Sequence, residues 1–112
     1  MDIFVASPYS HYDERVVEAR AHEADIYVGE LTRQGKVCYS AISAMHHLLK
    51  VCELPGTWEY WHMHCDRMMH HADEVHVLCL DGWEESVGLK NEIEIAKELN
   101  KKITYVKKNG KN

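Results

Sequence analysis

The run Glu74-Val75-His76-Val77-Leu78-Cys79-Leu80 is nearly continuous in apolar residues. A strand buried on both faces reads this way, and such strands belong to parallel sheets covered by helices on either side. The residues that follow extend the pattern. Asp81-Gly82-Trp83 reads as a turn, and Val87 to Asn100 has helical periodicity, with Leu89, Ile93, Ile95, Ala96 and Leu99 on one apolar arc. That arc spans about 160° at 100° per residue. Lys102 to Lys107 reads as a further strand, and the polar tail Lys108 to Asn112 is expected to fray.

Working backwards, Leu54-Pro55-Gly56 is the clearest break in the chain. Thr57 after it suits an N-cap for a helix over Trp58 to Ala72. In that helix Trp58, Trp61, Cys65, Met68, Met69 and Ala72 fall within an arc of about 100°. Ala41 to Val51 reads as a short helix and Lys36 to Ser40 as a strand. Asp13 to Gln34 reads as a long helix stopped by Gly35. The chain opens with Ile3-Phe4-Val5-Ala6, a short buried strand, and turns at Ser7-Pro8-Tyr9-Ser10. Strands and helices alternate, which predicts a three-layer α/β/α fold on a parallel sheet of four to five strands, in the flavodoxin-like order 2-1-3-4-5. With 112 residues and no linker or repeat, a single domain over 1–112 is expected.

Composition narrows the partners. Hydrophobic residues make up 46 % and charged residues 28 %, as in a globular protein. A net charge of −5 gives no long-range attraction to nucleic acid or to an anionic membrane. No apolar run is long enough to span a bilayer, and no secretory signal is visible. Cys38, Cys52, Cys65 and Cys79 are widely spaced and read as reduced thiols, so a cytoplasmic location is expected. Among nine histidines, His62 and His70 share a helix face with Asp66. There is no His-x-x-x-His pair with a third ligand nearby in sequence, and neither a metal nor a cofactor is expected.

In sheets of this kind ligands sit beyond the carboxyl ends of the strands. The loops Ser7 to Ser10 and Asp81 to Gly88 are therefore the candidate binding loops. Glu92 falls near the middle of the apolar arc of its helix, whereas Glu94 and Glu98 fall on the polar face. An unpaired carboxylate facing a core is costly by a few kcal/mol or more. Glu92 must therefore pair with a buried cation, cap loop N–H groups, or reach a cleft and do chemistry. Ser86 sits where an N-cap belongs, and the helix start beside Gly88 offers free N–H groups suited to phosphate. Asp66, flanked by Glu59 and His62, is either a solvated edge or a second carboxylate for the same cleft. Tyr9, Trp58 and Trp83 are core aromatics or platforms for a base.

The segments Phe4 to Tyr9, Leu54 to Trp61, Asp66, Ala72 to Val75 and Leu80 to Glu92 together resemble the nucleoside 2-deoxyribosyltransferase-like superfamily, in particular a small phage and bacterial branch. The resemblance covers nearly the whole chain. It implies that Glu92 is a nucleophile attacking C1′ of a (deoxy)ribosyl group and that Asp66 assists at the base or sugar. The spacing of Ser86 to Glu92 is similar to that of the 2′-deoxynucleoside 5′-monophosphate hydrolases of that superfamily, where the serine binds phosphate. Those hydrolases carry an arginine in the first loop, where this chain has Tyr9; Arg15 is the expected substitute. Ser7, Tyr9, Arg15, Asp81, Ser86 and Gly88 are thus the expected substrate-binding residues. The implied activity is hydrolysis of the N-glycosidic bond of a (deoxy)nucleoside 5′-monophosphate. A base-exchanging deoxyribosyltransferase and a non-catalytic nucleotide-binding module are the alternatives. The resemblance also implies a homodimer or larger homo-oligomer.

Overall fold

The computed structural model describes residues 1–107. Four strands alternate with four helices: β1 (Ile3–Ala6), α1 (Glu14–Arg33), β2 (Cys38–Ser40), α2 (Ala41–Val51), α3 (Trp58–His70), β3 (Glu74–Cys79), α4 (Val87–Glu98) and β4 (Lys102–Lys107). A single 3₁₀ turn, Trp83–Glu85, precedes α4. All strand pairs are parallel and the sheet order is β2-β1-β3-β4. The expected order thus holds for four strands, and no fifth strand is present among the described residues. The tail expected to fray lies outside them.

The register places β1 in the centre, with Phe4 opposite Tyr39 on one side and Val75 on the other. Its side chains alternate between two layers. Ile3 and Val5 pack with Leu78 and Leu80 against Tyr27, Val28 and Leu31 of α1. Phe4 and Ala6 pack with Val75 and Val77 against Cys65 and Met69 of α3 and Leu89, Ile93 and Ala96 of α4. Helices α1 and α2 meet α3 in a third apolar cluster built on Ala21, Ala24, Ile42, Met45 and Trp61. The sheet is therefore covered on both faces, which is the three-layer α/β/α arrangement.

Local chemistry sets the element ends. The Asp13 side chain caps α1 by accepting from Arg15 N at 2.9 Å. The helix stops at Gly35, whose φ of +84° lets Lys36 N donate to Leu31 O at 3.0 Å. Ser40 caps α2 through a bond accepted from Ser43 N at 3.1 Å. Thr57 occupies the N-cap position of α3 without a side-chain bond, and that helix ends at His70, short of the expected Ala72. Its entry is held instead by Trp61 Nε1, which donates to the Pro55 carbonyl at 2.6 Å. The carboxyl ends of β1 and β3, at Ala6 and Cys79, deliver the two candidate loops to one edge of the sheet.

Candidate active site

A cleft of about 400 Å³ opens beyond the carboxyl end of β1, between α2, α3 and the start of α4. This lies within the range of small-molecule sites. Ser7 and Tyr9 reach it from the first loop, Trp58, Glu59, Trp61 and Cys65 from α3, and Glu85 to Leu89 with Glu92 from the other side.

Glu92 is only 7 % exposed and lines this cleft. Its neighbours on α4, Leu89, Ile93 and Ala96, are buried in the core, as helical spacing requires. Among the described residues no Lys, Arg or His forms an ion pair with it. Burial raises its pKa from the ordinary 4.5 to about 8, and the neighbouring Cys65 thiol offsets only part of that rise. Burial, with the Glu92 carboxyl beside it, pushes the Cys65 thiol far up, so the thiol stays protonated. Of the three fates open to Glu92 in the sequence, the cleft is the one observed.

Ser7 is 3 % exposed and its Oγ has no hydrogen-bond partner among the described residues. A buried hydroxyl left unpaired is unfavourable by about 1–3 kcal/mol, and here it borders the cleft. Ser86 caps α4, its Oγ accepting from Leu89 N at 3.3 Å. A Cβ added at Gly88 would meet nothing within 4 Å, so this helix start is open to the cleft. Tyr9 also borders the cleft, and its hydroxyl is bonded to His46 Nδ1 at 2.7 Å.

Three expected site residues are placed elsewhere. Asp66 is not among the residues that line the cleft; its side chain is 49 % exposed and stands 3.9 Å from His70 Nδ1. One residue on a helix turns the side chain by about 100°, and it is Cys65 that takes the cleft-facing position. Arg15 is 91 % exposed and folds back onto Asp13 at 3.0 Å, because the residue that caps α1 also captures the guanidinium. Asp81 is exposed and borders a separate groove along α1, together with Arg15. Of the two tryptophans considered as platforms, Trp58 lines the cleft, whereas Trp83 packs on Tyr105 under Lys107. His62, Asp66 and His70 hold no metal geometry: among the described residues, no three His, Cys, Asp or Glu side chains gather as a metal requires.

Other residues enter to which the sequence assigned no part in the site. Glu59 and Glu85 line the cleft, and no Lys or Arg does among the described residues. Arg20, 7 % exposed, ties the two candidate loops together: Nη1 donates to the Ser10 carbonyl at 2.9 Å and Nη2 to the Asp81 carbonyl at 2.9 Å. Its signal was present in the sequence as a cation on the buried stripe of α1, between Val17 and Ala21. Gly82 lies against it with φ +81°, and a Cβ there would come within 2.7 Å of Nη2.

Fold and site together define a parallel α/β/α protein with an uncompensated acid in a cleft at the carboxyl edge of its sheet. The chain belongs to the family described as "Domain of unknown function (DUF1937)", whose model matches residues 1–108. Among curated proteins there is no match.

Proposed function

We propose that this chain breaks the N-glycosidic bond of a (deoxy)nucleoside 5′-monophosphate, releasing free base and sugar phosphate, with Glu92 as nucleophile. The observation that carries the reading is the buried Glu92 carboxyl, which has no cationic partner among the described residues and lines a cleft of about 400 Å³. A Glu92 oxygen attacks C1′ as the C1′–N electron pair leaves with the base, and water then cleaves the glycosyl ester. The reactive form is the carboxylate, which a pKa of about 8 leaves as about a tenth of the empty enzyme at pH 7. The free N–H groups at the start of α4 and the hydroxyls of Ser7 and Ser86 suit the 5′-phosphate. Trp58 suits the base.

One observation favours a second reading. Glu59 and Glu85 flank the cleft, and no Lys or Arg among the described residues answers them there. A dianionic phosphate is repelled by such a lining, whereas an uncharged nucleoside is not. Base exchange between uncharged nucleosides is therefore the runner-up. Asp66 has no part in either reading, since it does not reach the cleft.

A homodimer or larger assembly and a cytoplasmic setting complete the proposal. Tyr60 and Met63, exposed on α3, support the first, and four free cysteines support the second. No helix among the described residues is long and apolar enough to cross a membrane.

The test is a panel of ribo- and deoxynucleosides and their 5′-monophosphates, scored by chromatography for free base, with and without a second base. Base and sugar phosphate from a monophosphate support hydrolysis. Sugar appearing on the added base supports exchange. A nucleotide bound and recovered intact after long incubation overturns both.

A further inference from the structure

With Asp66 outside the cleft, the proton that a departing base must take up has to come from another group. The lining of the cleft supplies a candidate. Tyr9 borders the cleft, and its hydroxyl is bonded to His46 Nδ1 at 2.7 Å. His46 Nε2 is bonded in turn to Glu18 Oε1 at 3.2 Å, and Glu18 is also paired with Lys50. These residues come from the first loop, α2 and α1; Tyr9 and His46 lie 37 positions apart along the chain, and His46 and Glu18 lie 28 apart. We infer that Tyr9 is the general acid and base of the site, connected by His46 to Glu18 as a proton relay. The inference rests on the N-glycosidase reading above.

The hydrogen-bond inventory gives the relay two states. Lys50 and His46 hold Glu18 below the usual carboxylate range, so Glu18 is an acceptor only, and it fixes a proton on His46 Nε2. With His46 cationic, Nδ1–H donates to the Tyr9 oxygen and leaves the Tyr9 proton free for the cleft. As C1′–N breaks, its electron pair stays on the base nitrogen, which takes the Tyr9 proton. The Nδ1 proton moves to the Tyr9 oxygen, and His46 becomes neutral. In that state Nδ1 accepts from Tyr9, so the Tyr9 oxygen can take a proton from water. Water attacks C1′, the Glu92–C1′ ester bond breaks to restore the carboxylate, and the released proton returns through Tyr9 to His46. Burial, with Glu18 and Glu14 nearby, raises the Tyr9 hydroxyl above its usual range, so it rests as a phenol.

The experiment separates acid catalysis from packing by the leaving group. Tyr9→Phe keeps the ring and His46→Asn keeps a polar side chain; circular dichroism checks both folds. Each is assayed on the most active nucleotide of the panel and on the 4-nitrophenyl glycoside of the same sugar phosphate, whose leaving group needs no proton. The expected result is a loss of about 10²-fold or more in kcat/KM on the nucleotide, the range of general acid catalysis, with kcat/KM on the nitrophenyl substrate within a few-fold of wild type, because kcat/KM ends at departure of the leaving group and does not include the later hydrolysis of the ester. Equal losses in kcat/KM on both substrates, or no loss on either, overturn the relay while leaving Glu92 as nucleophile. Absence of base release by the wild type from every substrate overturns the N-glycosidase reading and the relay with it.

Discussion

Replacing Glu92 by Gln removes one ionisable group and little else, and its effect on stability follows from burial. The folded chain holds this carboxyl at about 8 against an ordinary 4.5. A group raised on folding contributes its full stability below the unfolded value, and that stability is lost as pH rises through the folded value. From 4.5 to about 8, at about 1.4 kcal/mol per pH unit, the wild type loses roughly 5 kcal/mol, of which roughly 4 falls between pH 5 and pH 9. The Glu92→Gln variant, with no proton to release at this position, loses none of it. Total stabilities of small domains are about 5–15 kcal/mol, so the change is large on that scale. Urea unfolding of both proteins at pH 5, 6, 7, 8 and 9 gives the difference directly, and other titrating groups cancel between them. The variant should gain on the wild type by roughly 4 kcal/mol across the series, with most of the change between pH 5 and 8. A difference constant to within about 1 kcal/mol would mean that the Glu92 carboxyl is solvated or ion-paired in the folded chain, and the reasoning fails.

Other consequences can be checked singly. The same titration carries a kinetic sign: because the nucleophile is the carboxylate, kcat/KM for the 4-nitrophenyl substrate, whose leaving group needs no proton, should climb with pH and level off above about 8, whereas a fall over that range would make Glu92 an acid instead. Ser86→Ala removes the α4 cap bond, which should lower stability by about 1 kcal/mol in thermal melts. Calorimetric titration of that variant should show weaker binding of 5′-monophosphates than of nucleosides relative to wild type; equal losses would remove the phosphate from the α4 start. Gly82→Ala brings a Cβ against Arg20 Nη2 at a φ of +81°, so a destabilisation of about 1–3 kcal/mol is expected by urea unfolding. An unchanged midpoint would show that the Arg20 tie between the two loops is dispensable.

The sheet and its helices were legible because their signals are local. The apolar run of β3, the glycine that ends α1 and the serine that caps α4 each act within a few residues. Glu92 was legible for the same reason, since an acid on an apolar arc contradicts its own helix. The site's other members depend on distance or on phase. Asp66 and Cys65 differ by one position, and periodicity alone left the flank of α3 undecided between solvent and cleft. Arg15 could reach the first loop in principle; its capture by Asp13 is a side-chain choice that no periodicity records. Tyr9 and His46 meet only because α2 lies beside the first loop, a tertiary fact with no sequence signature.

The central claim is that one inward carboxyl performs the chemistry, and the most direct test is base release by Glu92→Gln beside wild type on the same active nucleotide, with binding measured on both. The account predicts a fall of at least about a thousandfold in rate with affinity within a few-fold, as for loss of a nucleophile. Release by the variant at the wild-type rate would contradict it.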